Sequence, residues 1–330
     1  MFDNFAKYAI DNGGKIKPLI VPSEQMWWKG AGLMNPSVCK HNGNIIVNIR
    51  HTNYILYKSE KNIHEHIWGP LVYLHKENDR CLATKNYIAI LDDDLNIVEQ
   101  QMIDTSDNDK EPLWDFHGLE DIRLVNWNGK LFGTGVRRDT NTVGAGRMDL
   151  SHIGHEDGKV KELERIRVPA TEQTDKTTYC EKNWMPIEDR PYEYMKWSNP
   201  IEIVKYDPET HTTHQLYHGK FDSSCAHDER GGSQVIPFKD GYLGLQHVTY
   251  FIKNTSRKKD GDYVHRFTYW DKEWNVVKRS QLFAFLAGAI EFSCGMCKHN
   301  DNYLITFGFQ DNAAFILEVT SDALEKFIYD

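Results

Sequence analysis

The stretch Leu119–Arg138, "LEDIRLVNWNGKLFGTGVRR", decides the fold. Two apolar runs flank Asn128-Gly129, a dipeptide that two-residue hairpins favour because both central residues take positive φ. Glu120, Asp121 and Arg123 stand at its open end, where a core would ask only for Ile, Leu and Val. The same layout of polar mouth, apolar strand, tight turn, apolar strand and polar mouth returns in "NPSVCKHNGNIIVNIRH" (Asn35–His51), "RGGSQVIPFKDGYLGLQH" (Arg230–His247) and "EFSCGMCKHNDNYLITFGFQD" (Glu291–Asp311). Asn42-Gly43, Asp240-Gly241 and Asp301-Asn302 are the corresponding turns, and a fifth hairpin opens at "EKNWMPI" (Glu181–Ile187) and returns through "YMKWS" (Tyr194–Ser198).

A second kind of hairpin follows each of these: "NYIAILDDDLNIVEQQ", "GRMDLSHIGHEDGKVKELERI", "IEIVKYDPETHTTHQLYH", "HRFTYWDKEWNVVKRSQ" and "AAFILEVTSDALEKFI". Apolar and polar residues alternate in them around an acidic turn, as in a half-buried outer hairpin. Five inner and five outer hairpins predict an all-β, five-bladed β-propeller whose four-stranded antiparallel blades surround a central funnel. The expected organisation is one domain over 1–330, with blades at 35–326 and residues 1–34 as an N-terminal arm or ring closure. The last segment, "SDALEKFIYD", also reads as a helix.

Composition narrows the function. With 330 residues, 40% of them hydrophobic, the chain has enough apolar material for a large core. Its formal net charge of -9 argues against unselective binding to nucleic acid or anionic lipid. No stretch approaches the ~20 apolar residues of a membrane span. The N-terminus lacks a basic start and apolar run, and the six cysteines are scattered apart from Cys294 and Cys297, so a cytoplasmic protein is expected.

Innermost propeller strands point their ends at the axis, so equivalent positions of successive repeats meet at one mouth. Those positions are Asn35, Arg50 and His51; Glu120, Asp121 and Arg123; Lys182 and Asn183; Arg230, Gln234 and His247; and Glu291, Gln310 and Asp311. Each alone is an ordinary solvated strand end. Their recurrence at one phase of every repeat is the pattern of a ring-lining site.

Taken as an ordered set, "GLEDIRLV", "NPSV" with "NIRH", "EKNW", the His of "YLGLQH" and "FGFQDNAAF" resemble the five-bladed propeller enzymes of the β-mannoside phosphorylase and mannosyltransferase superfamily, which is glycoside hydrolase family 130-like. They resemble more closely its relatives that accompany bacterial and viral glycosyltransferases. The resemblance spans about Asn35 to Phe315. It implies Asp121 as catalytic general acid or base, Arg50, Arg123, Lys182 and His247 as ligands of a donor phosphate, and Asp311 as a holder of sugar hydroxyls. Asn35, His51, Glu120, Asn183, Arg230, Gln234, Glu291 and Gln310 complete the expected sugar-binding set. Trp184 either stacks on a sugar or packs between blades. Ile122 stands where the family's motif has proline, which weighs against strict phosphorylase chemistry.

Moving a glycosyl group requires a proton-handling carboxylate and stabilisation of an oxocarbenium-like centre. A phosphate leaving group requires cations. The expected activity is therefore glycosyl transfer from a nucleotide sugar or sugar phosphate to a hydroxyl acceptor, a glycan or a hydroxylated DNA base. A glycoside phosphorylase or hydrolase and a non-catalytic carbohydrate-binding propeller are the alternatives. No cofactor or metal is expected. Asp92-Asp93-Asp94 sits in an outer-hairpin turn, for which Asp is suited; His64 with His66 and His152 with His155 lack ligand spacing; and Cys294 and Cys297 lack a second pair. Trp27 and Trp28 are candidates for the funnel rim, and "NTSRKKDGD" (Asn254–Asp262) reads as a solvated loop.

Overall fold

A computed structural model describes residues 2, 4–21, 32–56, 73–75, 81–170, 180–225, 229–253, 259–288 and 290–330. The expectations for Trp27, Trp28, His64, His66 and residues 254–258 lie outside them. Five antiparallel sheets follow one another along the chain as the blades of a β-propeller. Blade 1 runs from the inside outward through Gly32–His41, Asn44–Thr52, Leu82–Leu91 and Ile97–Met102. Blade 2 is Leu119–Trp127, Lys130–Arg137, Arg147–Glu156 and Lys159–Val168, and blade 3 is Met185–Pro186, Glu193–Ser198, Ile201–Asp207 and Thr212–His218. In blade 4 the innermost strand is broken into Arg230–Gly231 and Ile236–Phe238, followed by Gly241–Lys253, Lys259–Trp270 and Val276–Arg279. Blade 5 begins with Glu291–His299, Asn302–Phe309 and Ala313–Thr320.

The fourth strand of blade 5 corrects the expected outer hairpin. Lys15–Pro18 supplies it, pairing antiparallel with Phe315–Glu318 and closing the ring. The chain after Thr320 instead forms the helix Ser321–Tyr329, capped by the Thr320 hydroxyl, which accepts from the Ala323 amide at 3.3 Å. Ala323, Leu324, Phe327 and Ile328 repeat at helical spacing and are buried.

The expected turns Asn42-Gly43 and Asn128-Gly129 carry positive φ at both residues. Two others shift by one position. Phe238 pairs with Gly241 and His299 with Asn302, so the turns are Lys239-Asp240 and Asn300-Asp301, with Lys239 and Asn300 left-handed. Lys259–Asp262, read from sequence as loop, is strand paired with Tyr250–Lys253.

Each seam between neighbouring blades has its own apolar cluster. Ile122 and Leu124 pack with Ile46 and Ile88 between blades 1 and 2, and Trp127 and Trp184 with Tyr194 between blades 2 and 3. Between blades 4 and 5, Phe267, Phe285 and Phe307 meet Phe5 of a short helix, Phe5–Asp11, and Phe327 of the helix Ser321–Tyr329. No described helix is long and apolar enough to cross a membrane.

Candidate active site

Left-handed backbone, otherwise confined largely to the hairpin turns, recurs at the mouth. Asn35 (φ 44°), Asp121 (φ 52°), Asn183 (φ 65°), Gln310 (φ 57°) and Asp311 (φ 50°) are all left-handed, a region that costs a non-glycine residue about 1 kcal/mol or more and that Asn and Asp enter most readily. The registers of blades 1 and 2 slip at Asn35-Pro36 and at Asp121-Ile122, which are bulges that re-aim the strand ends. Two glycines make room for them. A Cβ at Gly135 would lie 2.4 Å from the Glu120 carbonyl oxygen, and one at Gly308 would lie 2.3 Å from Asn35 Oδ1.

The centre of the mouth is Arg50. Its Nη1 donates to Asp121 Oδ1 at 2.6 Å, Nη2 donates to the Tyr54 hydroxyl at 2.7 Å and lies 3.3 Å from Glu120 Oε2, and Nε donates to Thr84 Oγ1 at 3.2 Å. Asn35 Nδ2 donates to the same Asp121 oxygen at 2.8 Å. Burial raises the Asp121 carboxyl, but Arg50, the Asn35 hydrogen bond, Arg123 and Lys182 outweigh it and hold the group below its usual range. Asp311 feels the same charges. Burial raises it, Arg50 lowers it, and Asp121 and Glu120 raise it again, so that it reaches about 6. Tyr263, which the sequence did not single out, completes this corner and is pushed up to about 12 by burial and by the nearby Asp311.

Across the mouth the balance is cationic. A small pocket is lined by Lys182, Asn183, Lys196, Arg230, Gly231 and their neighbours. Lys196 pairs with Glu202 at 3.5 Å, whereas among the described residues Lys182 and Arg230 make no ion pair. The Arg230 and His247 backbones pair across adjacent strands. Burial first, then His265, Arg123, Arg230 and Lys182, lower His247 well below the usual imidazole range, so it is neutral at pH 7. Its ring stacks on Tyr263 at 5.7 Å.

Several expected ligands turn inward instead. Arg123 is 1% exposed and donates to the carbonyl oxygens of Gly232 (2.7 Å), Asp121 (2.8 Å) and Gly231 (3.2 Å) and to Asn183 Oδ1. Its guanidinium ties blade 2 to blade 4 and is not presented to a donor. Gln234 donates to the Val38 and Leu124 carbonyls and accepts from the Met296 amide, binding three innermost strands and flooring the funnel. Glu291 accepts from the amides of Phe285, Leu286 and Gly288 and so organises its own loop. Trp184 packs between blades and donates to Glu181 Oε2 at 3.1 Å. His51 is fully buried beside Tyr87, with burial and Lys85 lowering it to about 4. The competing metal signals resolve similarly: Asp92 accepts from the Asn96 backbone and side-chain amides within its turn, and Cys294 and Cys297 are buried free thiols.

Asn35, Arg50, Glu120, Asp121, Gln310 and Asp311 therefore form one half of the mouth, and Lys182, Asn183, Arg230 and His247 the other. Beside them a cleft of about 850 Å³ runs between blades 1 and 2. Thr84, which holds Arg50, and Leu119, which precedes Glu120, belong to its wall, together with Asn86, Thr105, Ser106 and Ser151.

No family model matches the sequence, and no curated protein does. Solved structures match along almost their whole length. A glycosyl hydrolase from Bacteroides ovatus is 13% identical, with 93% of this chain and 92% of that chain covered at a TM-score of 0.58. The β-1,2-mannobiose phosphorylase from Listeria innocua, in complex with β-1,2-mannobiose, is 14% identical, with 94% and 96% covered at 0.55. A mannose phosphorylase from Leishmania mexicana, in complex with phosphate ion, is 8% identical, with 98% and 94% covered at 0.52. The chain thus shares the five-bladed propeller fold of the mannoside phosphorylases and glycoside hydrolases it resembles.

Proposed function

We propose that the protein is a glycosyltransferase that moves a sugar from a nucleotide sugar or sugar phosphate to a hydroxyl acceptor. The observation that carries this reading is the division of the mouth. Carboxylates gather around Arg50 on one side, while on the other Lys182 and Arg230 have no carboxylate partner among the described residues. In this reading the sugar lies between the two halves. Lys182 and Arg230 hold the donor's phosphate as charge develops on its leaving oxygen, and His247, being neutral, adds a hydrogen bond at most. Asp121, kept ionised by Arg50 and Asn35, faces the anomeric carbon and takes the acceptor's proton. Gln310 and Glu120 orient sugar hydroxyls.

The hydroxyl- and amide-bearing cleft between blades 1 and 2 suits a polar acceptor such as a glycan. A hydroxylated DNA base is the less favoured acceptor, given the net charge of -9. Glycoside phosphorolysis is the second reading, and its support is the set of structural neighbours described as phosphorylases. A mass-spectrometric screen with pooled nucleotide sugars and sugar 1-phosphates, with and without mixed glycan acceptors, separates the two. Acceptor-dependent release of nucleoside diphosphate or phosphate supports transfer. Cleavage of oligosaccharides only when phosphate is added supports phosphorolysis.

A further inference from the structure

Apolar clusters fill the seams between blades, but the seam between blades 1 and 2 also opens into the cleft of about 850 Å³. That volume lies near the upper end of pockets that enclose a drug-sized ligand, which leaves room for several linked rings. A strap on its outer side keeps the cleft preformed. Residues 103–109 leave the outer strand of blade 1 and are tied to the outer strand of blade 2. The Asp104 amide donates to the Val160 carbonyl and the Glu162 amide to the Asp104 carbonyl, each at 2.9 Å, while Arg165 donates to the Asn108 carbonyl at 2.6 Å and pairs with Asp109 at 2.7 Å.

The wall is built for a polar, uncharged occupant. Ser151 and Ile153 share one face of their strand. Ile153 packs into the apolar cluster of the seam, whereas Ser151 lines the cleft. Ser151 is 3% exposed, and among the described residues its hydroxyl makes no hydrogen bond. The Thr84 hydroxyl accepts from Arg50 Nε at 3.2 Å and donates to no described residue. Buried hydroxyls in this state gain from a ligand that completes their hydrogen bonds. The deep charges are already committed, Arg137 to Asp139 at 3.3 Å and Asp149 at 3.1 Å, and Glu162 to Arg165 at 2.6 Å. Ile103, Leu119 and Ile122 give the apolar surface that the C–H faces of a sugar need. No Phe, Tyr or Trp is among the described residues of the wall, so a nucleobase would have no ring to stack on.

We propose that this cleft binds an uncharged oligosaccharide, the chain of the acceptor glycan. The proposal rests on the glycosyl-transfer reading and gives its acceptor a chemical class and a place. Leu119 and Ile122 line the cleft, while Glu120 and Asp121 between them reach Arg50 in the mouth. One strand end is therefore the wall shared by the two spaces. Asn86, also on the wall, donates to the Leu119 carbonyl at 2.9 Å, and Thr84 holds Arg50. A chain seated in the cleft thus abuts both the strand end that carries Asp121 and the threonine that holds its arginine.

The test measures binding without turnover. Neutral gluco-, manno- and galacto-oligosaccharides, from monosaccharide to hexasaccharide, are titrated by calorimetry and saturation-transfer NMR, with oligogalacturonides as the charged counterpart. The proteins are wild type, Ser151→Ala, Met102→Trp and the double variant Lys182→Ala, Arg230→Ala. Met102 lines the cleft and is 38% exposed, so the larger ring narrows the cleft without entering the core. One neutral series is expected to bind wild type more tightly as it lengthens beyond a single sugar. Ser151→Ala is expected to weaken that binding ~2- to 10-fold and Met102→Trp ~10-fold or more, while the double variant at the mouth leaves it unchanged. Binding that ignores both cleft variants and is lost in the double variant overturns the proposal, because the sugar then sits in the mouth. Preference for the oligogalacturonides overturns it too, as does the absence of binding by every neutral series. Cleft-dependent binding by a protein that releases nothing from any donor upholds the oligosaccharide site and removes the transfer reading instead.

Discussion

On the side of the mouth formed by blades 1, 2 and 5, Glu120, Asp121 and Asp311 crowd around a single arginine. On the side formed by blades 3 and 4, Lys182 and Arg230 line a pocket in which neither has a carboxylate partner among the described residues. Both sides come from the same repeated hairpin, and in both the backbone turns left-handed at the strand entrance. What differs is where the charges are spent. The first side sets three carboxylates against one guanidinium and so is suited to holding and passing protons. In the proposed reading, the second keeps its positive charge for an anion that arrives with the substrate. Between them runs Arg123, a guanidinium at the same mouth whose donors go to backbone carbonyls and an asparagine.

The contrast is broken most sharply at Asp121. Asp121→Asn is expected to lower kcat by ~10³-fold, equivalent to about 4 kcal/mol of barrier, while donor binding measured by calorimetry stays close to wild type. Loss of donor binding instead would move Asp121 to the anion-holding side. Next is Arg123→Met, expected to cost about 3 kcal/mol of folding stability in a urea titration because it strands buried carbonyls of blade 4. Wild-type stability with weakened donor binding would return this arginine to the donor.

The cationic side is tested by Lys182→Ala combined with Arg230→Ala. Donor affinity is expected to fall ~10- to 100-fold, about 1.4 to 2.8 kcal/mol, with kcat for bound donor less affected and the effect shrinking as salt rises. The smallest effect is in the pH dependence of stability. A carboxyl whose folded pKa is raised binds more protons folded than unfolded, so ionising it opposes folding as pH climbs from about 4 towards 6 and beyond. Asp311→Asn is therefore expected to match wild type near pH 4 and to exceed its stability by roughly 1 to 2 kcal/mol at pH 8. Asp121 has the opposite sign. Its lowered pKa contributes stability that is present above its unfolded value and lost as pH falls through the folded one.

The hairpin repeat carried most of the fold, because two-residue turns and alternating apolar residues are local signals. Where a turn was displaced, as at Lys239-Asp240, the nearby glycine drew the reading one position too far, although Gly241 is the first paired residue of the next strand. The closing strand was harder to read. Lys15–Pro18 has no hairpin partner in sequence, and its mate lies at the far end of the chain. At the site, Asn35, Asp121, Asn183 and Asp311 were legible because they recur at one phase of the repeat. Gln234 and Glu291 share that phase but satisfy backbone amides and carbonyls. Sequence spacing does not say whether a polar side chain at a strand end faces the funnel or folds back onto the chain. Tyr54, Thr84 and Tyr263 carry no such signal because they lie outside the innermost strands whose ends define the mouth.

The closing strand also sets an order in time. Lys15–Pro18 leaves the ribosome about 300 residues before its partners, Phe315–Glu318. At about 5 to 20 residues per second, translation keeps the two apart for roughly 15 to 60 s. For that interval four blades have the opportunity to assemble while the first strand waits with its backbone unpaired. Its sequence, Lys-Ile-Lys-Pro, is well suited to the wait, since alternating lysines and a terminal proline discourage a strand from pairing with the wrong edge.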